Sequence, residues 1–251
     1  MNPVKDSVLN AFDYLAAFDR AARAAGFKST AFGTTHGHQL RACTKRTPGP
    51  RPRVYLSAGI HGDEPAPPQA LLQLVESGFF DARCNWFLCP LLNPAGFVSG
   101  TRENPARLDL NRDYRALQST EVPAHIGWLQ RQPNFDLVIC LHEDWESTGF
   151  YLYELNPDRR PTLAPAMIAA ARAHGPIEPA TVIDGRTVDE PGIIRPVSDP
   201  LLRELWPEAI YLRRHHGTLV YTIETPSALP LAQRVATQCA VVRAAVDDFL
   251  R

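Results

Sequence analysis

Three apolar segments, each followed by a histidine or a glutamate, constrain the fold of this chain more than any other feature. They are residues 54–56, 135–141 and 218–223. The second segment stops at His142, the third stops at Glu224, and His61 and Glu64 follow the first within a few residues. Near-continuous apolar runs of this length are typical of strands buried on both faces of a parallel sheet. Because ligands bind at the carboxyl ends of such strands, the sequence predicts one site at one edge of an α/β sheet.

The spacing of His61 and Glu64 indicates a metal site at that edge. The two residues lie three positions apart, where the first strand gives way to a helix-like segment beginning around Pro65. Imidazole and carboxylate together form a ligand set that suits zinc. A lone His-x-x-Glu pair also fits an ordinary polar loop, so the metal hypothesis depends on His142 and Glu224 reaching the same edge.

An arginine-rich segment between these strands indicates an anion-binding loop. Residues 100–112 contain three arginines and two asparagines in a stretch too broken for regular structure. Guanidinium groups stay charged at any working pH and match the geometry of a carboxylate. The alternative interpretation is a solvated loop with surface arginines. Beside a metal, the segment predicts recognition of an anionic substrate.

Five separated elements together resemble the zinc carboxypeptidases of the M14 family. That family includes the murein peptide amidases and the succinylglutamate desuccinylase and aspartoacylase branch. The resemblance spans about residue 54 to about residue 226 and follows the family's order. Its elements are Gly59-Ile60-His61-Gly62-Asp63-Glu64, Asn93-Pro94-Ala95-Gly96, Arg102-x-Asn104-x-x-Arg107-x-Asp109-Leu110-Asn111-Arg112, the strand ending at His142, and Ile223-Glu224-Thr225.

The resemblance implies a fold and a role for each of seven residues. The expected fold is a zinc carboxypeptidase-like single α/β domain over residues 1–251, with a mixed, largely parallel twisted sheet flanked by helices. One Zn²⁺ per chain is expected. The resemblance implies these roles: zinc ligands His61, Glu64 and His142; general base Glu224; oxyanion-stabilising Arg102; and carboxylate anchors Asn111 and Arg112.

Elementary chemistry is consistent with those roles. Two histidines and one glutamate leave an open position on a tetrahedral zinc, as a hydrolytic site requires. A carboxylate such as Glu224, free of the metal, can accept a proton from water and return it to a leaving amine. No nucleophilic side chain is needed.

Three hypotheses for function remain open at this stage. The first is a zinc carboxypeptidase or peptide amidase acting on a small peptide with a free carboxylate. The second is an N-acyl amino acid deacylase like the aspartoacylase branch. The third is a binding protein that keeps the fold without turnover, although all the expected ligands and the expected base are present. Specificity for a side chain and the oligomeric state cannot be deduced from the sequence.

Composition excludes several other classes of function. The chain has 251 residues, 45% of them hydrophobic, and a net charge of -1. It therefore has enough apolar residues for a sizeable core but no overall field that would attract nucleic acid or an acidic membrane. No apolar run is long enough for a secretory signal or a membrane span. The five cysteines form no Cys-x-x-Cys pair, which favours a reducing, cytoplasmic location.

Periodicity and turn residues predict the elements around the sheet. We expect an amphipathic helix over 7–25, a hairpin over 30–46 turning at residues 35–37, and a further central strand over 86–92. Leu231, Val235, Val242, Val246 and Phe249 recur at helical spacing and predict a packed C-terminal helix.

Four further pairs of residues stay ambiguous. They are His36 with His38, His215 with His216, Glu143 with Asp144, and Tyr153 with Tyr211. Each histidine pair is expected to be structural. The two carboxylates either pair with nearby arginines or recognise a cationic group of the substrate. Either tyrosine is a candidate to close over the substrate.

Overall fold

The computed structural model describes residues 10–196, 199–217 and 219–251. Within these ranges lie seven α-helices: α1 (Ala11–Ala24), α2 (Ala66–Glu76), α3 (Pro94–Ser99), α4 (Glu121–Leu129), α5 (Ala164–Arg172), α6 (Glu208–His215) and α7 (Leu231–Phe249). The first five strands are β1 (Lys28–Thr35), β2 (His38–Lys45), β3 (Arg53–Ser57), β4 (Asn85–Cys89) and β5 (Leu137–Asp144). The remaining five are β6 (Tyr151–Leu155), β7 (Val182–Ile183), β8 (Arg186–Thr187), β9 (Ile193–Ile194) and β10 (Val220–Pro226). Short 3₁₀ helices occur at Leu110–Arg112 and Pro200–Leu202.

Eight strands form one sheet, in the order β1-β2-β4-β3-β5-β10-β6-β9. The pairs β4/β3, β3/β5, β5/β10 and β6/β9 are parallel, and the other three are antiparallel. The sheet is thus mixed and largely parallel, and the fold class predicted from the sequence is confirmed. Strands β7 and β8 form a separate two-stranded hairpin.

Helices cover both faces of the sheet, and side chains of each central strand alternate between two hydrophobic clusters. Leu137, Ile139 and Leu141 of β5 pack with residues of α1, α2, α5 and α7. Val138 and Cys140 pack with residues of α4 and α6. This alternation follows from the two-residue period of a strand. It places His142 on the α4/α6 face and Glu143 on the α2/α7 face.

The elements predicted around the sheet are present, with shifted boundaries. The hairpin of β1 and β2 turns at His36 and Gly37, whose φ angles of 46° and 79° suit a tight two-residue turn. Helix α1 begins after Asn10, whose side chain accepts a hydrogen bond from the amide of Phe12. Helix α7 matches the predicted C-terminal helix, and β4 ends at Cys89, before Pro90. The part of the predicted first helix over 7–9 and Thr218 of the predicted third strand lie outside the described residues.

Two strands run further than the sequence predicts. Strands β5 and β10 were expected to stop at His142 and Glu224, but this prediction is wrong because their parallel pairing continues to Asp144 opposite Pro226. Backbone pairing continues for two residues beyond the functional side chains. As a result, His142 and Glu224 are held within a ladder, directly opposite each other.

Membrane-spanning helices and disulfides are both absent from the residues that the structure describes. No helix there is long and apolar enough to cross a membrane. The five cysteines are all buried and none forms a disulfide.

Candidate metal centre and active site

Two segments at the carboxyl edge of the sheet bring His61, Glu64 and His142 together. His61 and Glu64 lie in the turn between β3 and α2, and His142 lies in β5, which pairs with β3. The turn packs so tightly that a Cβ on Gly62 would lie 2.0 Å from the backbone carbon of Gly96. Contact with α3 therefore fixes the path of the turn that carries both residues.

The ligating atoms of the three side chains converge on one point. One nitrogen or oxygen from each of them lies within 4.8 Å of the others. Nδ1 of His61 lies 2.5 Å from Oε1 of Glu64, and Nδ1 of His142 lies 3.2 Å from Oε2 of Glu64. Among the described residues, this is the only group of three or more such side chains that could hold a metal ion.

The chemistry of the cluster fits a divalent metal. All three residues are buried, and Oε2 of Glu64 has no hydrogen-bond partner despite its proximity to His142. A buried carboxylate oxygen without a partner is costly unless a cation satisfies it. Two imidazoles and one carboxylate are a donor set that zinc accepts.

His61 and Glu64 strongly shift each other's pKa values. Burial disfavours protonation of His61, but the carboxylates of Glu64 and Asp109 outweigh burial and raise its pKa to about 9. Burial alone would raise the pKa of Glu64, yet His61 and His142 lower it to about 2. These opposite shifts show that the His61 imidazole and the Glu64 carboxylate stabilise each other's charged forms.

Asp109 and Arg102 form a layer around His61. Oδ1 of Asp109 lies 3.2 Å from Nε2 of His61, which leaves Nδ1 to face Glu64. Nε of Arg102 donates to Oδ2 of Asp109 at 3.0 Å, and its Nη1 lies 3.3 Å from Nδ1 of His61. These contacts orient the imidazole and hold a guanidinium at the edge of the cluster.

Glu224 lies in β10, opposite His142, and lines the cavity described below. The pKa of Glu224 is raised to about 8, mainly by burial and also by Glu64 and Asp144, against the opposing effect of His142. It is absent from the group of ligating atoms around Glu64. The carboxyl group thus combines proximity to the cluster with a strengthened affinity for a proton.

Asn111 and Arg112 line the cavity from the short 3₁₀ helix. Oδ1 of Asn111 accepts a hydrogen bond from the backbone amide of Glu208, at the first residue of α6. Nη1 of Arg112 donates to the carbonyl oxygen of Asn111 at 2.8 Å. The side-chain amide nitrogen of Asn111 and the other nitrogens of the Arg112 guanidinium form no hydrogen bond or ion pair with another described residue, so these donors are available to a ligand.

The two carboxylates after His142 have different environments. Glu143 is buried and forms an ion pair of 2.6 Å with Arg234. Burial raises its pKa to about 7, and the guanidinium of Arg234 acts in the opposite direction. Asp144 accepts hydrogen bonds from the hydroxyl of Tyr151 and the amide of Glu146. Pairing with an arginine therefore applies to Glu143 alone.

A cavity of about 270 Å³ is lined by His61 and Glu64 of the cluster and by Glu224. Beyond the residues above, its lining includes four kinds of side chain: the aromatic Trp145, Tyr151 and Tyr153; the acidic Glu146 and Asp184; the basic Arg186 and Arg203; and the apolar Leu155, Pro196, Pro200, Pro207, Ala209 and Ile210. The pKa of Arg203 is lowered by burial and by the neighbouring Arg186 and Arg112. The guanidiniums of Arg186 and Arg203 form no ion pair or side-chain hydrogen bond with any described residue.

The other ambiguous residues lie outside the cavity, with one exception. Tyr153 lines it and donates to Asp184, whereas Tyr211 is buried against Tyr114 and the neighbouring histidines. His38 stacks on Phe12 in the hairpin. Neither histidine pair lines the cavity or joins a metal-binding group.

Comparison with known proteins identifies the family. The sequence profile of the succinylglutamate desuccinylase/aspartoacylase catalytic domain matches residues 50–249. The chain belongs to this family. Membership in the succinylglutamate desuccinylase/aspartoacylase family agrees with the M14-type resemblance seen in the sequence. No curated protein sequence matches this chain.

Solved structures show that this succinylglutamate desuccinylase/aspartoacylase domain shares a fold with metallopeptidases. A predicted metallopeptidase from Shewanella amazonensis superimposes with a TM-score of 0.84 and 24% identity, covering 96% of this chain and 94% of that one. A metallo-carboxypeptidase from Burkholderia cenocepacia gives a TM-score of 0.67 and 21% identity, covering 94% of this chain and 69% of the other. A metallo-carboxypeptidase from Pseudomonas aeruginosa in complex with (2-guanidinoethylmercapto)succinic acid gives a TM-score of 0.68 and 20% identity, covering 95% and 69%.

Sequence reasoning missed Tyr151, Trp145, Arg186 and Arg203 as cavity residues. Strand alternation from Tyr153 places Tyr151 on the same face, so the two-residue period could have revealed it. Arg186 lies in the β7/β8 hairpin and Arg203 follows the second 3₁₀ helix. No local pattern marks these two arginines, because only the folded chain brings their loops over the sheet edge.

Proposed function

We propose that this protein is a zinc-dependent hydrolase that cleaves an amide bond next to a free carboxylate, acting as a carboxypeptidase or peptide amidase. The observation that carries the proposal is the convergence of His61, Glu64 and His142 within 4.8 Å, beside a cavity that His61, Glu64 and Glu224 line. Family membership and the shared metallopeptidase fold support it.

In this proposal the three clustered side chains hold one zinc ion. Bound there, zinc would supply a Lewis acid and favour ionisation of a water molecule near neutral pH. Glu224 accepts a proton from the attacking water and passes it to the nitrogen of the leaving group. Its raised pKa, about 8, suits a group that must hold that proton between the two steps.

The arginines of the loop act on the substrate's oxygens. Arg102, held by Asp109, donates to the carbonyl oxygen on which negative charge develops. Asn111 and Arg112 bind the terminal carboxylate through the donors that they present to the cavity. The succinic acid derivative bound to the Pseudomonas aeruginosa carboxypeptidase is consistent with a carboxylate ligand.

A second candidate function is deacylation of an N-acyl amino acid with an acidic side chain. The observation that favours it is the pair Arg186 and Arg203, which line the cavity and form no ion pair with a described carboxylate. Repulsion between neighbouring guanidiniums is relieved when an anion binds between them. A substrate with a second carboxylate would supply that anion.

Metal analysis combined with a hydrolysis screen tests the proposal. We expect one zinc per chain, and loss of tight zinc binding and of activity in His142→Ala. Release of a C-terminal amino acid from short peptides supports the peptidase, whereas cleavage of acidic N-acyl amino acids alone supports the deacylase. In the second case Arg203→Gln should remove the preference for the acidic substrate.

The same screen contains the results that would contradict the proposal. Amidation of the substrate's carboxylate should raise KM or abolish turnover, so equal cleavage of amidated and free substrates would exclude anchoring by Asn111 and Arg112. A metal ion bound at His36 and His38 would exclude the proposed centre.

A further inference from the structure

A buried polar cluster lies next to the metal-binding residues and is not used in the chemistry above; of its members only Glu143 lines the cavity. It consists of Glu143, Arg234 and Gln238, which we call the α7 clamp because two of its members belong to α7. All three side chains are buried. We propose that the α7 clamp is a positioning device that fixes the backbone segments carrying Glu64, His142 and Glu224 relative to one another.

Glu143 connects two of those segments. It follows His142 in β5, and its Oε2 accepts a hydrogen bond of 2.9 Å from the backbone amide of Ala66, the first residue of α2. Ala66 comes two residues after Glu64. One carboxylate therefore ties the strand of the second histidine to the turn that carries the clustered glutamate.

Arg234 holds that carboxylate in place. Its Nη1 donates to Oε1 of Glu143 at 2.6 Å, so both oxygens of Glu143 are engaged. The two charged side chains are 5% and 0% exposed. A short ion pair in this environment fixes the direction of both side chains.

Gln238 connects α7 to β5 and to β10, the strand that carries Glu224. It lies one helical turn after Arg234, and its Nε2 donates to the carbonyl oxygen of His142 at 2.9 Å and to Oγ1 of Thr225 at 2.8 Å. Thr225 directly follows Glu224 in β10. The clamp thus contacts the backbone of Ala66 and His142 and the side chain of Thr225, each of them within two residues of Glu64, His142 or Glu224.

Stability alone does not account for this arrangement. Replacement of a buried ion pair by apolar side chains of similar volume is often neutral or stabilising, because desolvation offsets the attraction between the charges. A metal site requires more precise positions than stability does. Side chains that bind a metal must be held within about 0.5 Å of the productive position, and surrounding hydrogen bonds hold them there. The clamp supplies such bonds at the point where three separate segments meet.

The experiment measures zinc affinity by chelator competition, together with kcat and KM, in Glu143→Gln. This variant keeps an oxygen for the amide of Ala66 but removes the charge that faces Arg234. We expect zinc to bind about 10-fold to 100-fold more weakly, and kcat to fall while KM changes little. Arg234→Lys, which keeps the charge, should retain most of the zinc affinity.

Glu154→Gln is the matched control. Glu154 is equally buried and pairs with Arg195 at 2.8 Å, but it does not line the cavity. We expect a lower melting temperature in this variant, with zinc affinity and kcat at the wild-type level. A purely structural clamp would make Glu143→Gln behave in the same way, which would overturn the inference.

Gln238→Met supplies a second test that leaves the ion pair intact. It removes the two hydrogen bonds to β5 and β10 while conserving volume, and zinc affinity should again fall; unchanged affinity in a folded variant would overturn the inference. The inference rests on the proposed function. A wild-type protein that binds no zinc would overturn both, whereas a zinc-binding wild type with unaffected variants would overturn the clamp alone.

Discussion

Glu224 shows how a single side chain acquires its properties from its neighbours. Burial and the carboxylates of Glu64 and Asp144 raise its pKa to about 8, and the facing His142 opposes them. An ordinary surface glutamate has none of these influences. The strand ladder thus sets the location of Glu224 opposite His142, while burial and the two carboxylates account for its basicity.

Replacement of Glu224 by glutamine tests whether Glu224 acts as a general base or as a metal ligand. Glu224→Gln keeps the size of the side chain but cannot accept a proton, so we expect zinc to be retained and kcat to fall about 100-fold or more. Metal content and turnover measured on the same sample check this. The control is Glu178→Gln, a buried carboxylate outside the cavity, which should change neither quantity. Loss of zinc from Glu224→Gln would instead make Glu224 a metal ligand.

At the scale of elements, the turn between β3 and α2 is held by its contact with α3. Gly62 has an ordinary backbone conformation, but the space for a side chain is already filled by backbone atoms at 2.0 and 2.3 Å. Backbone atoms of a helix cannot move aside as the end of a flexible side chain can. The glycine is therefore required by close approach of two elements.

Gly62→Ala should displace the turn that carries His61 and Glu64. We expect the free energy of unfolding to fall by about 1–3 kcal/mol, as for other overpacked sites, and zinc affinity to fall with it. Denaturant unfolding of the metal-free protein and chelator competition measure the two effects.

The matched control is Gly127→Ala in α4, where the nearest atom to a new Cβ is a side-chain atom 3.9 Å away. That substitution should be stabilising by about 0.5–1 kcal/mol, because alanine favours a helix interior. Equal stability of the wild type and Gly62→Ala would show that the contact is loose.

At the scale of the whole molecule, a buried polar layer joins α4 and α6 to the sheet. Tyr55 of β3 donates to Glu208 of α6, and its hydroxyl also lies 3.0 Å from Nε2 of His125 in α4. The hydroxyl of Tyr114 lies 2.7 Å from Nδ1 of His125. Both ring nitrogens of His125 are thus engaged inside the core.

This layer predicts a dependence of stability on pH. Burial, and to a lesser extent His216, lowers the pKa of His125 from 6.5 to about 3. Between these two pH values the unfolded chain binds a proton at this residue that the folded chain does not. The contribution of His125 to the free energy of unfolding therefore decreases as the pH falls through this range.

His125→Gln should remove that contribution while keeping a polar partner for both tyrosines. In chemical denaturation below pH 6.5, the slope of unfolding free energy against pH should be smaller in the variant by up to about 1.4 kcal/mol per pH unit. The raised pKa of Glu208 acts with the opposite sign, but it is present in both proteins and cancels in the comparison. His174→Gln, at an exposed position, should follow the wild-type profile. Parallel profiles for the wild type and His125→Gln would exclude a buried neutral histidine.

The order of motifs in the sequence determined the family, the fold class and the positions of the clustered residues. The apolar strands are easily recognised in the sequence, and each lies close to a histidine or glutamate. Because parallel strands align their carboxyl ends, these side chains are expected at the same sheet edge whatever the conformation of the loops. The same local reasoning misjudged where β5 and β10 end, since pairing between strands continues wherever a partner backbone is available.

Only the tertiary structure decided which charges near the site are free and which are paired. Glu143 and Asp144 are adjacent in sequence and both line the cavity, but strand alternation directs Glu143 to Arg234 of α7, whereas Asp144 forms no ion pair with a described arginine. Arg186 and Arg203 reach the cavity from segments distant in sequence from the metal cluster. A local pattern records the period of a strand or helix, whereas the partner of a charge is set by which segments the whole fold brings together.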